Sequence, residues 1–169
     1  MNLGEPKLGG SLVLSTNRDQ IEANNFRALL DLTKLNRYVA EVCYHTQNKQ
    51  EFLSQIAGAS VYCKIDIFAA YHQIPIAPDY PIVASVPGDS ANIEYNRLPQ
   101  GLKTSGSLFC EQLEAILPKS EFRNVIKYID DLLIYAVSLQ ELFITFKKVI
   151  ERFYTANIRL NPKKCIFGV

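Results

Sequence analysis

The stretch Val125-Ile126-Lys127-Tyr128-Ile129-Asp130-Asp131-Leu132-Leu133-Ile134-Tyr135 decides how this chain is read. Two adjacent carboxylates stand between two apolar, β-prone segments, the pattern of a hairpin tip. At about 4 Å and an effective dielectric near 20, two such charges repel by about 4 kcal/mol. A divalent cation turns that repulsion into attraction, and hard acidic oxygens are what Mg²⁺ prefers. A plain polar turn is the competing explanation, because Asp is common in turns.

A second segment bears on that choice. Val61-Tyr62-Cys63-Lys64-Ile65 reads as a strand, and Asp66 falls at its end, before the short helix-like Ile67-Phe68-Ala69-Ala70-Tyr71-His72-Gln73-Ile74. Element ends at the edge of a rigid sheet are where catalytic groups usually sit. If this strand lies beside the hairpin, three carboxylates converge. Three can hold two metal ions about 3.5–4 Å apart, the arrangement that serves phosphoryl transfer.

Outward from these segments, Ser11 to Ser15 and Phe26 to Asp31 read as a hairpin with the polar tip Asn17-Arg18-Asp19-Gln20. Met1 to Gly10 is turn-rich and expected to be loose. Lys49 to Ala57 has helical spacing, and Gly58 can end it. Ile82 to Val86 and Asn92 to Arg97 flank the turn Pro87-Gly88-Asp89-Ser90. Thr104 to Leu117 reads as a helix burying Leu108, Phe109, Leu113, Ile116 and Leu117, with Thr104 or Ser105 as its cap. Leu139 to Asn157 reads as an amphipathic helix packing Leu142, Phe146, Val149, Ile150 and Phe153. Ile158 to Leu160 and Cys165 to Val169 read as closing strands. Strands interrupted by helices on one side give an α+β sandwich.

Length and composition are compatible with this. The 169 residues allow one domain or two joined subdomains. Apolar residues make up 48% and charged residues 21%, which argues for a real core and against disorder. The net charge of +1 does not announce a nucleic-acid binder. A cleft needs only local positive charge, and from Lys119 onward nine Lys or Arg face five Asp or Glu. A solvated helical face explains that excess equally well. Cys43, Cys63, Cys110 and Cys165 lie far apart, without metal-site spacing. Cys63 and Cys110 are expected in the core. No signal peptide or long apolar run is present, so a reducing intracellular setting is expected.

Six stretches in one order carry a resemblance. They are Phe26-Arg27-Ala28-Leu29-Leu30-Asp31-Leu32-Thr33-Lys34-Leu35-Asn36, Phe52-Leu53-Ser54-Gln55-Ile56-Ala57-Gly58-Ala59, Asp66 to Ile74, Asn96-Arg97-Leu98-Pro99-Gln100-Gly101-Leu102-Lys103-Thr104-Ser105, Tyr128-Ile129-Asp130-Asp131, and Leu160-Asn161-Pro162-Lys163-Lys164-Cys165-Ile166-Phe167. Over roughly residues 24 to 168 the chain resembles the reverse transcriptase domain of gypsy-type long-terminal-repeat retrotransposons and retroviruses. The resemblance implies an α+β fold: a polymerase palm whose antiparallel sheet is backed by helices, with part of the fingers and no thumb. Residues 1–169 would form one reverse transcriptase domain, fingers about 11–60 and 75–105, palm about 61–74 and 106–169.

The resemblance also assigns roles. Asp66, Asp130 and Asp131 would be catalytic and would hold two Mg²⁺ ions, with Mn²⁺ as a substitute. Asp66 and Asp130 would do most of the ligation. Tyr71, five positions after Asp66, would block the sugar 2′-hydroxyl and so select deoxynucleotides. A core tyrosine is the alternative for it. Gln100 would contact the nucleotide near its 3′-hydroxyl, and Arg27 would grip the triphosphate, a task that suits a guanidinium fork. Tyr128 would pack beside the template-primer. Ile129 would lie under the primer end, or else in the core. Lys164 would protonate the leaving pyrophosphate, with Lys163 next in line. The implied partners are an RNA or DNA template with primer and deoxynucleoside triphosphates, without a membrane. The oligomeric state stays open. The setting would be cytoplasm, virus-like particle or nucleus.

Several positions depart from the family pattern. Thr33 stands for a frequent arginine, Ala69 for a polar residue, and Cys43-Tyr44-His45-Thr46-Gln47 lacks guiding prolines. Arg18 is the only obvious fingertip cation, and the chain stops just after the palm. These departures leave a competing expectation, an inactive retroelement remnant that binds nucleic acid or a partner protein. A third reading is another two-metal palm enzyme such as a nucleotide cyclase. The turn around Gln100 and the segment Asp31 to Asn36 speak against it.

Overall fold

The chain divides into two units, residues 1–42 with 74–105, and residues 43–73 with 106–169. The computed structural model describes residues 8–15, 27–40, 42, 49–79, 82–85, 90 and 92–168, with only the backbone of 8–15, 27–29 and 49. The tip at 17–20, the Pro87-Gly88-Asp89 turn and Cys43 lie outside the described residues.

The first unit is built on a four-stranded sheet. Its strands are β1 (Leu8–Ser15), β2 (Arg27–Asp31), β4 (Ile82–Ser85) and β5 (Asn92–Tyr95), in the order β2-β1-β4-β5. β1 pairs antiparallel with β2, Ser11 opposite Asp31 and Ser15 opposite Arg27. It pairs parallel with β4, Leu8 opposite Ile82. β1 therefore starts earlier than the sequence suggests. Gly9 and Gly10 are loop formers in isolation, yet here their backbone pairs with Val83 and Ala84. Pairing to a neighbouring strand overrides weak local preference. Leu30, Leu32, Leu35, Ile82 and Ala84 form the core of this unit, with Val39, Ile76, Tyr95 and Leu102 packed against it.

The second unit holds an all-antiparallel sheet, β6-β7-β3-β8: β3 (Val61–Asp66), β6 (Val125–Tyr128), β7 (Asp131–Ala136) and β8 (Ile166–Phe167). Cys63 lies opposite Ile134 and Ile65 opposite Leu132, and all four are buried. Period-two alternation then puts Lys64, Asp66, Asp131 and Leu133 on the other face. Helix α1 (Lys49–Ile56) leads into β3, and Ser60 N–H donates to the Ala136 carbonyl at 2.9 Å. That bond ties the end of the 43–60 stretch to this sheet, and the stretch falls in the second unit. The boundary runs at 42/43.

Helix α2 (Ser105–Ile116) buries Phe109, Cys110 and Leu113, followed by Leu117. Leu108, expected inside, is 40% exposed. The buried Ser105 hydroxyl at the start of this helix donates to the Pro99 carbonyl at 2.7 Å. Helix α3 (Leu139–Thr155) packs on β7 and β3 through Leu142, Thr145, Val149 and Phe153. Ser138 caps it by accepting from Glu141 N–H, and the Glu141 carboxylate accepts from Val137 N–H, both at 3.3 Å. This is close to a capping box. The helix ends two residues before the expected Asn157, which takes a left-handed φ of 55°.

Candidate active site

Asp66 ends β3 and Asp131 begins β7, and the two lie directly opposite each other. Asp130 occupies the two-residue turn between β6 and β7, and its carbonyl accepts from Ile67 N–H at 3.0 Å. The hairpin tip is therefore fastened to the chain just past Asp66. Asp66 and the adjacent pair Asp130-Asp131, far apart in sequence, meet at one end of one sheet because two antiparallel pairings place them there. Ile129 turns the corner at φ 51°, a conformation costly for a β-branched side chain. It is 43% exposed, so the core alternative for Ile129 fails. Tyr128, also exposed, lies opposite Asp131.

Cations already serve two of the three carboxylates. Lys64 Nζ is 2.8 Å from Asp131 Oδ2, which follows from their diagonal positions on one sheet face. Asp131 in turn raises the Lys64 pKa, through its hydrogen bond first and its charge second. Lys164 Nζ is 3.8 Å from Asp66 Oδ2. Of the two adjacent lysines it is thus Lys164 that reaches the site. Among the described residues Asp130 has no such partner, and its Oδ1 is buried without a hydrogen bond. Burial pushes the Asp130 carboxyl above its ordinary value, the charges of Asp131 and Asp66 push the same way, and Lys164 partly offsets them. Among the described residues no three His, Cys, Asp or Glu side chains form a ready cation cage. The donor set nevertheless fits Mg²⁺: hard carboxylate oxygens, one of them orphaned, at the end of a rigid sheet.

The residues after Arg159 knit around Asp66. Asn161 N–H donates to the Asp66 carbonyl at 2.9 Å, and Asp66 N–H donates to Cys165 Sγ at 3.4 Å. The Cys165 thiol donates to the Asn161 carbonyl at 3.3 Å. The Pro162–Lys164 turn that carries Lys164 is thereby tied to the strand that carries Asp66. Cys63 and Cys110 are buried as expected, and burial pushes the Cys63 thiol up to about 11.

Tyr71 sits on the Ala70–Gln73 turn, half-buried, its ring 5.5 Å from that of Phe109 at 56°. Burial first, then the Asp130 charge, raises its hydroxyl pKa. It is neither a fully buried core residue nor a free one.

In the first unit, Gln100 is exposed on a turn whose Gly101 has φ 91°, a conformation that favours glycine. Asn36, to which the sequence reading gave no role, closes this turn. Its Nδ2 donates to the Gly101 carbonyl and its Oδ1 accepts from Lys103 N–H, both at 2.8 Å. Arg27 opens β2 opposite Ser15, and its side chain lies outside the described residues. Arg27 and Gln100 belong to the first unit, and Asp66, Tyr71, Tyr128, Asp130, Asp131 and Lys164 to the second. Among the described residues no helix is long and apolar enough to cross a membrane.

Known proteins resemble this chain in sequence and in fold. The chain is 28% identical over 149 residues to the retrovirus-related Pol polyprotein from transposon 297 of Drosophila melanogaster, covering 88% of this chain and 14% of that one. It is 29% identical over 143 residues to the transposon Tf2-3 polyprotein of Schizosaccharomyces pombe, covering 83% and 11%. The chain thus spans a small part of the length of these relatives. Its fold is similar to the foamy viral protease-reverse transcriptase solved with double-stranded DNA (TM-score 0.80, 19% identity, 96% of this chain and 28% of that one). It is likewise similar to the foamy viral protein solved with an RNA/DNA hybrid (TM-score 0.79, 19% identity, 96% and 21%). The sequence pattern described as reverse transcriptase (RNA-dependent DNA polymerase) matches residues 16–169, and the chain belongs to that family.

Proposed function

We propose that this chain is the fingers and palm of a polymerase that copies an RNA or DNA template by adding deoxynucleotides to a primer. The unit with Arg27 and Gln100 is the fingers part, and the unit with the aspartates is the palm. One observation carries the reading: Asp66 faces Asp131 across a strand pair, with the buried, unpartnered Oδ1 of Asp130 at the adjoining tip. Asp66, Asp130 and Asp131 would hold two Mg²⁺ ions, or Mn²⁺, which when bound supply charge neutralisation and an activated oxygen for phosphoryl transfer.

The chain's own residues do the rest. Among the described residues no donor reaches Asp130 Oδ1, which leaves that oxygen for a metal ion. Lys164, whose Nζ is 3.8 Å from Asp66 Oδ2, would give a proton to departing pyrophosphate. Arg27 grips the triphosphate and Gln100, on its fixed turn, reads the sugar end of the nucleotide. Tyr71 excludes a 2′-hydroxyl by bulk, and Tyr128 lies against the primer duplex. The kinship with retrotransposon polyproteins supports an intracellular site of action, in the cytoplasm, in virus-like particles or in the nucleus.

The test is primer extension on an RNA template with Mg²⁺. Extension is expected, and Asp130→Asn should lower its rate by at least about 10²–10³, as for loss of one preorganised electrostatic group. Absence of extension by the unaltered chain, or equal extension by the variant, overturns the reading. The ion pairs of Lys64 and Lys164 with two of the aspartates favour a second reading, a non-catalytic relative that still binds nucleic acid. Tight binding of an RNA/DNA hybrid without any extension would support it.

A further inference from the structure

Past Asp66 the backbone leaves β3 and makes a tight excursion. Ile67 bridges to Leu160, and Phe68 N–H donates to the Arg159 carbonyl at 3.0 Å. The chain then reverses at Ala69, where φ is 44°, and enters the Ala70–Gln73 turn that carries Tyr71. His72 N–H donates to the Ala69 carbonyl at 2.9 Å. A left-handed alanine is unfavourable and persists only where its surroundings over-determine it.

Gln73 supplies that constraint. Its Oε1 accepts from Arg159 N–H at 2.6 Å, and its Nε2 donates to the Arg159 carbonyl at 2.9 Å. The same Nε2 donates to the Phe68 carbonyl. A primary amide offers two donor hydrogens and an acceptor, and all are engaged here. The side chain thus imitates a neighbouring strand toward the backbone of a residue 86 positions away, and ties both ends of the excursion to it. Tyr71 lies within the loop so closed, its ring on Phe109.

We propose that Gln73 is a positioning residue for Tyr71: by clasping Arg159 and Phe68 it fixes the turn that holds the tyrosine ring on Phe109, and through it the choice of sugar. The proposal rests on the reading of Tyr71 as the sugar-excluding side chain. Three bonds of defined polarity explain why the residue is Gln. Glu lacks the donors and would set an oxygen against two carbonyls. Asn is one methylene too short, and Met has the length without the bonds.

The experiment uses Gln73→Met, checked for folding by circular dichroism, with Gln73→Glu as the variant that keeps the acceptor. Gln73→Met should speed hydrogen exchange of the Arg159 amide by at least about tenfold, since a local closing contact is gone. The nuclear Overhauser contact between the Tyr71 and Phe109 rings should be lost. Gln73→Glu should keep the Arg159 amide protected while weakening the ring contact. In primer extension, the kcat/KM ratio of deoxynucleotide over ribonucleotide should fall by at least about fivefold in Gln73→Met, chiefly through the ribonucleotide KM. An intact ring contact in both variants overturns the proposal. So does an unchanged ratio in Gln73→Met when Tyr71→Val lowers it. If Tyr71→Val also leaves the ratio unchanged, the sugar reading of Tyr71 is what fails. The role of Gln73 in sugar choice falls with it, while the ring-contact result still reports the clasp.

Discussion

Neutralising Asp130 separates chemistry from stability. Its carboxyl is held above the ordinary value by burial and by the negative charges of Asp131 and Asp66. The folded chain therefore binds that proton more readily than the unfolded chain does. The associated stability is fully present below the ordinary carboxylate pKa and is lost as pH rises through the raised folded value. Asn cannot ionise, so the stability gain of Asp130→Asn should be near zero in acid and grow toward neutrality. Thermal melts across that range in chelator check the sign, and a gain that shrinks with pH would contradict it. Lys64 is the complementary case. Its pair with Asp131 is well exposed, and solvent-screened pairs of this kind add little to stability. Lys64→Met should leave the fold intact. By freeing Asp131 it should tighten Mn²⁺ binding by at most about fivefold, since the exposed pair is weak. Loss of Mn²⁺ affinity, followed by electron paramagnetic resonance, would mean that Lys64 supports the site rather than competing for it.

At the scale of elements, the β6–β7 hairpin shows what the site costs the fold. Positive φ at its first turn position usually selects glycine, and here it falls on Ile129. Four ladder pairs from Val125–Ile134 to Tyr128–Asp131, and the Ile67 to Asp130 bond, hold it there. Strain retained at a site of clustered carboxylates is the usual company of function. Helix α3, which backs this sheet, depends on ordinary rules instead. Ser138→Ala removes the acceptor for Glu141 N–H and should cost about 1 kcal/mol, read by urea unfolding. No change would mean that the helix start is held by packing alone.

Across the whole molecule, burial decides which changes are felt. Ile134 is fully buried between β3 and β6 partners, and Ile134→Ala should cost about 2–5 kcal/mol. Tyr154 is 88% exposed, and Tyr154→Ala should stay within about 0.5 kcal/mol. Equal losses in chemical denaturation would mean that the sheet of the second unit is not the stability-determining core.

Much of this was legible before any coordinates. The alternation of apolar residues around Asp130-Asp131, the strand ending at Asp66, and the periodicity of Leu142, Val149 and Phe153 depend on local spacing, and spacing is written in the chain. The motif order identified the family for the same reason. The tertiary structure decided what spacing cannot encode. Pairing across 65 residues set Asp66 opposite Asp131 and Lys64 diagonal to it. Backbone partners drew Gly9 and Gly10 into a strand. Side-chain amides at Asn36 and Gln73, unremarkable in the sequence, became clasps only when their distant backbone partners came within hydrogen-bonding distance. Local propensity chooses elements, but a contact between residues far apart in the chain exists only after the strands have paired, and the charge balance of this site is made of such contacts.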